Sequence, residues 1–204
     1  MFRIIRFEWL FRWLAIGTTA ISLLVYVALQ AYLGTEFSLS LLFKIAGWTS
    51  FVLIVCLTTD IPARLIWGCV RAFNKRLFPD LNGTWEGEII VSDTIIIPAR
   101  AIIRHSLLKV QIDIHTETSK SVTIETTPTL EFNQHKVYYV YRAIPKNPDW
   151  SEYKGTTTFD IRSVKFGSYD ALEMSGEYFT SRKTVGRVRF RQVSGDTSCD
   201  VSYY

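Results

Sequence analysis

The stretch "GRVRFRQV" places Arg187, Arg189 and Arg191 at every second residue. In a β-strand that spacing puts three guanidinium groups on one face. A second stretch, "KVYYVYR", carries Tyr138, Tyr139, Tyr141 and Arg142 and is aromatic on both faces, while Arg162 and Arg104 add cations elsewhere. Guanidinium forks pair with phosphate oxygens, and aromatic planes stack on bases. The chemistry these residues offer is recognition of a nucleotide. The candidate ligand-contacting set is Tyr139, Tyr141, Arg142, Trp150, Arg162, Arg187, Arg189 and Arg191. Each also fits a plainer role. The arginine row suits a solvated outer face paired with Glu or Asp across strands, and the tyrosines suit core and rim packing. Trp150, in the proline-bearing stretch "PKNPDWSEY", fits a lid over a barrel mouth or an anchor for its own loop.

Catalytic and metal chemistry find little support. His105, His115 and His135 lie far apart without metal-type spacing, and no metal site is expected. No G-x-S-x-G elbow and no phosphate-cradling loop occurs. Carboxylates such as Glu86, Glu88, Asp113 and Glu173 read as solvent-facing strand positions. No enzymatic activity and no cofactor are expected.

The elements that must position these residues are strands. Period-two alternation is clear in "LLKVQIDIHTE", where Leu108, Val110, Ile112 and Ile114 share a face, and in "GRVRFRQV". Eight strands are predicted, at about 83–91, 94–104, 107–117, 120–132, 136–144, 154–166, 171–180 and 184–193. Short turn signals separate them, including Ser92-Asp93, Asn133-Gln134 and Ser181-Arg182. Most links suit an up-and-down meander, and eight strands close into a barrel with room for packed side chains or one small ligand. Trp85 is expected to plug one barrel end, under one of the last-strand arginines by a cation–π contact.

The first third of the chain reads differently. Trp13 to Leu33 is free of charge and long enough to cross a bilayer core of about 30 Å. A second apolar stretch, 39–59, crosses if Lys44 snorkels at one end. The predicted order is a basic N-terminus (1–12), a first span (13–33), a connector (34–38) and a second span (39–59). A juxtamembrane segment (60–78), the barrel (79–193) and a polar tail (194–204) follow. Within 60–78, Ile66, Val70, Phe73 and Leu77 make an apolar stripe and Arg64, Arg71 and Lys75 a basic one. The segment reads as a basic amphipathic helix on the membrane surface, or as the solvated end of the second span.

Charge follows this division. Residues 1–82 hold eight Lys/Arg and four Asp/Glu, and residues 83–204 hold fifteen of each. The whole excess of +4 belongs to the apolar part, which favours membrane topology over binding to DNA or RNA. Arginines before the first span and Arg64, Arg71, Lys75 and Arg76 after the second put both termini and the barrel in the cytoplasm. Cys56, Cys69 and Cys199 form no C-x-x-C pair, as in a reducing compartment. Cys69 is placed for acylation near the membrane surface, or is simply a small apolar helix residue.

Two spans, a basic cuff, the opening "LNGTWEGEI" and eight strands together resemble a specific family. It is that of the two-transmembrane, β-barrel effectors of bacterial cyclic-oligonucleotide anti-phage signalling, known as CBASS. Gly83-x-Trp85 is also similar to the first-strand signature of lipocalins. The CBASS resemblance implies a fold of two N-terminal transmembrane helices followed by an eight-stranded antiparallel lipocalin-like barrel. It implies a cytosolic barrel at the bacterial inner membrane that binds a cyclic di- or trinucleotide made by a partner synthase. Binding would drive homo-oligomerisation, and the assembled hairpins would disrupt the bilayer and stop the infected cell. Two other readings stay open: an anchored carrier of a lipid or small apolar ligand, and a tethered protein-interaction scaffold. A cationic, aromatic interior favours the nucleotide, an aliphatic one favours lipid, and a filled barrel with an exposed apolar patch favours the scaffold.

Overall fold

The computed structural model describes residues 7–34, 38–73, 78–106, 109–166 and 169–198. The chain falls into two units, one helical and one of strands, dividing between Lys75 and Arg76. In the helical unit, α1 spans Phe7–Leu33, α2 Leu39–Thr58 and α3 Asp60–Phe73. Phe11–Leu33 and Leu39–Thr58 are both long and apolar enough to cross a membrane. Their hydroxyls suit such a setting. Thr18, Thr19, Thr49 and Ser50 each donate to the carbonyl four residues back, at 2.7 to 2.9 Å, leaving no donor to water.

Gly34 ends α1 in the left-handed region (φ 61°), and its N–H donates to the Gln30 carbonyl, a cap that costs a glycine little. The Tyr26 hydroxyl, buried on α1, accepts from the N–H of Ser38, the residue capping α2. Thr59 is extended and separates α2 from α3. Asp60–Phe73 is therefore a helix separate from α2. It carries Ile61 and Leu65 exposed and Ala63 buried. Of the proposed stripes, the side chains of Val70, Arg71 and Phe73, together with Lys75 and Leu77, lie outside the described residues, as does Cys199.

The strand unit is a closed antiparallel barrel, β1 to β8 in chain order. Its strands are β1 Gly83–Ser92, β2 Ile95–His105, β3 Val110–Thr116, β4 Ser119–Glu131, β5 Gln134–Pro145, β6 Tyr153–Phe166, β7 Tyr169–Thr180 and β8 Val185–Ser194. Each strand pairs with its sequence neighbours, and β1 closes on β8 from Thr84↔Ser194 to Ile90↔Arg187. The meander expected from short turns is thus realised. The β4–β5 link is a two-residue turn in which Phe132 and Asn133 both have positive φ, the backbone that matches strand twist in a tight hairpin.

The core fills one end. Where the chain enters, Phe78, Leu81 and Trp85 are fully buried, with Phe159, Phe190 and Met174 above them. Large apolar side chains of this kind contribute about 1.5–3 kcal/mol each on burial. Polar groups in the plug are tied off. Trp85 Nε1 donates to the Leu81 carbonyl (3.0 Å), Asn82 exchanges two bonds with the His105 backbone, and Gln192 donates to the Asn82 carbonyl (2.6 Å). Gly83 (φ 125°) lies so close to Ser194 that a Cβ would overlap the carbonyl there, which brings β1 and β8 together. Trp85 does plug the end, as expected. The cation–π contact does not form, because Trp85 points inward beside Gln192 while the β8 arginines point outward.

Candidate functional site: the barrel mouth

The opposite end is built from the β1–β2, β3–β4, β5–β6 and β7–β8 links. Its lining comes from inward positions of β5, β6 and β7: Tyr141, Tyr153 and Tyr178. Two cross-strand pairs explain why aromatic rings collect here. Tyr141 lies opposite Gly155, and Tyr178 opposite Gly186. A Cβ at Gly155 would overlap the Tyr141 ring, and one at Gly186 would sit 2.6 Å from Tyr178. Each glycine leaves the space that its partner's ring occupies, as in the aromatic rescue of strand glycines.

Burial pushes the Tyr141 hydroxyl well above its ordinary pKa, with neighbouring Tyr153 and Tyr178 adding to the shift. Tyr178 is raised for the same reason, burial first and Tyr153 second. Tyr141 and Tyr178 therefore present neutral phenols at the mouth, able to donate hydrogen bonds, throughout the physiological range. Beneath them Tyr139 stacks on Tyr141 (5.1 Å between centroids, 23°) and then on Phe159 (6.1 Å).

A cation lies over one of these rings. Arg182, in the β7–β8 turn, holds its guanidinium 4.3 Å above the Tyr153 ring and donates to the Ser151 carbonyl. The β5–β6 loop, 146–152, is strapped at both ends. Lys146 N–H donates to the Thr118 carbonyl (2.9 Å), and Ser181 N–H to the Lys154 carbonyl (2.8 Å). Arg142 pairs with Glu152 at 3.7 Å. Trp150 is 52% exposed, and an Asn147 turn, with Asn147 Oδ1 accepting from Asp149, holds the loop instead. Trp150 is no buried anchor.

The structure divides the candidate residues between two places. Tyr139 and Tyr141 point inward, Trp150 rides on the strap, and Arg142 flanks it on the outer wall. Arg162, Arg187, Arg189 and Arg191 are exposed on the outside of the barrel, because Val188 and Phe190 take the inward positions of β8. Arg189 and Arg162 both hold Glu173, at 3.3 and 3.1 Å. The reading of Glu173 and Asp113 as solvent-facing is corrected: they are 5% and 7% exposed. Both lie on the outer wall, but long neighbours cover them, Arg162 and Arg189 over Glu173, Arg104 and Gln111 beside Asp113. A groove of about 300 Å³ runs there, lined by Glu86, Gly87, Glu88, Glu173, Arg189 and Arg191, with Phe190. Three carboxylates against two guanidiniums leave it a poor host for a phosphodiester.

Tyr153, Tyr178 and Arg182 were absent from the sequence-derived set. Gly155 and Gly186, near the starts of β6 and β8, carried a signal, since a strand glycine marks a close approach. Which ring approaches depends on register, and one sequence does not fix that. Among the described residues no group of His, Cys, Asp or Glu is placed to hold a metal ion.

The closed barrel is packed at the end where the chain enters and lined by tyrosines at its mouth, with Arg182 over Tyr153. It follows two apolar helices in the sequence. Residues 76–192 match the family model described as Cap15, cyclic dinucleotide receptor domain. The match covers more than half of the chain, which belongs to this family of CBASS effectors. That description names a cyclic dinucleotide, one of the two ring sizes the resemblance implies. No match to a curated protein is found.

Proposed function

We propose that the cyclic dinucleotide binds at the mouth, between the strap and the tyrosine cup, and that occupancy drives assembly of the helices and disruption of the membrane. The observation that supports this most is the Arg182 guanidinium over the Tyr153 ring, at a mouth that Tyr141 and Tyr178 also line. A base stacks on Tyr153 or Tyr141, and Arg182 turns to a phosphate, with Arg142 and Trp150 on the rim. Stacking of this kind is worth about 1–3 kcal/mol per base. The outer arginines Arg162, Arg187, Arg189 and Arg191 have a wall role in this reading.

The positive flanks put both termini and the barrel in the cytoplasm, at the bacterial inner membrane. Ligand shifts assembly only insofar as the assembled form binds it better than the monomer does, and confinement to a bilayer raises effective concentration. The supply of messenger falls to a cyclic-nucleotide synthase.

The test is titration of the full-length protein in lipid nanodiscs with cyclic dinucleotides built from adenine, guanine and uracil. Tyr153→Ala and Arg182→Ala are expected to weaken the tightest binder about tenfold or more. Unchanged affinity in both variants, with the barrel folded, places the ligand elsewhere.

A further inference from the structure

Strands β3 and β4 are neighbours in the barrel, yet among the described residues only Ile114↔Ser121 and His115↔Lys120 pair directly. Every other adjacent pair of strands shares at least seven register pairs. Below the two direct pairs, side chains take over. The Ile112 N–H donates to the Thr123 hydroxyl at 2.7 Å, and that hydroxyl donates to the Ile112 carbonyl at 2.7 Å. Continuing the register from Ile114↔Ser121 puts Thr123 opposite Ile112. One hydroxyl thus stands in for the N–H and carbonyl that Thr123 itself would offer in a direct ladder. A bulge at Ile124 then advances β4 by one residue, and the Thr126 hydroxyl donates to the Val110 carbonyl. The wall here is a side chain wider than a ladder.

Tyr139 reaches the same peptide from inside the barrel. Its hydroxyl donates to the Ile112 carbonyl at 3.0 Å, so two hydroxyls hold one backbone group. The Tyr139 ring is fully buried and stacks on Tyr141, whose register partner on β4 is Thr123. Tyr141 in turn forms the floor of the mouth over Gly155. A displacement of Tyr141 has two direct routes to Ile112, by ring stacking through Tyr139 and by strand pairing through Thr123.

We propose that the β3–β4 seam is the segment of wall that rearranges when the mouth is occupied, and that Tyr139 is the positioning residue linking the two. The inference rests on the mouth reading. The seam has a second arrangement available, with Thr123 turned aside and Ile112 bonded directly to the β4 backbone. Two discrete hydrogen-bonded states of one element are what a ligand can bias.

Hydrogen exchange of the full-length protein in nanodiscs tests this, using peptides from β3 and β4 with and without the tightest cyclic dinucleotide. In the wild type, ligand is expected to slow exchange of the Ile112 region about tenfold, and to leave the middle of β2 unchanged. Tyr139→Phe keeps the ring and removes the latch. It is expected to speed exchange of that region several-fold without ligand, and to lose most of the ligand's protection at saturating ligand. Thr123→Val removes the other hydroxyl at similar volume and serves if Tyr139→Phe does not fold. Ligand that binds the wild type without altering the seam overturns this inference and leaves the mouth reading intact. Equal protection in wild type and Tyr139→Phe overturns the coupling role of Tyr139. Affinity unaffected by Tyr153→Ala and Arg182→Ala overturns the mouth reading, and the ligand-free exchange of Tyr139→Phe still decides whether the latch exists. Binding by no member of the panel overturns both.

Discussion

Arg189 and Arg182 carry the same charge and do different work. Arg189 lies on the outer wall against Glu173, a carboxylate that its neighbours cover almost completely. Removing Arg189 leaves Arg162 still paired with that carboxylate at 3.1 Å. Arg189→Ala is therefore expected to lower stability by about 1 kcal/mol in urea unfolding and to change ligand affinity less than twofold. A tenfold loss of affinity at full stability returns the last strand to the binding site. The buried tyrosines set a different dependence. Burial raises Tyr139 and Tyr141 well above the ordinary phenol value. Below about pH 10 both the folded and unfolded chains keep these groups protonated, so they add no pH dependence there. Above it the unfolded chain ionises while the fold holds the protons, so the unfolded state binds fewer protons and stability falls. The melting temperature is expected to fall as pH rises above about 10, and to fall less in Tyr139→Phe.

Among the elements, the strand glycines decide where large side chains go. Gly155 and Gly186 hold space for Tyr141 and Tyr178, and Gly87 is so close to β8 that a Cβ would overlap the Arg189 carbonyl. A flexible ring gives way more readily than backbone. Gly155→Ala is expected to cost about 1–2 kcal/mol and to swing Tyr141 outward, visible as quenched ligand binding. Gly87→Ala is expected to cost more, about 3 kcal/mol, by forcing apart the β1–β8 pairing that closes the barrel. Equal costs in the two variants, measured by thermal unfolding, would show that the ring and the backbone yield alike. The helices follow the same logic of satisfaction. Hydroxyls that bond back to carbonyls four residues earlier make α1 and α2 compatible with lipid, and the extended Thr59 makes α3 a separate element.

For the molecule as a whole, the proposal ties a soluble event to a membrane event. Dye-loaded liposomes bearing the full-length protein are expected to leak when the tightest cyclic dinucleotide is added from the cytoplasmic-type face. Leakage is expected to shift to about tenfold higher ligand with Arg182→Ala. Leakage without ligand, or binding without leakage, separates the receptor from the proposed effector step.

The sequence alone determined the class of each part. Apolar runs of bilayer length, then period-two alternation broken by turn residues, leave few folds available, and the strands read from alternation reach within a few residues of those observed. It also held the family resemblance in "LNGTWEGEI". It did not determine faces or partners. Alternation says that Arg187, Arg189 and Arg191 share a side, and only the closed barrel says that this side is the outer one. Asp113 and Glu173 look solvated in one dimension and are covered in three, because the residues that cover them come from other strands or turn back along their own. The mouth depends on register across β5, β6, β7 and β8, and a bulge at Ile124 decides which threonine meets Val110. Register is a property of paired strands. A single chain read along its length records the period of its side chains but not the neighbour each will face.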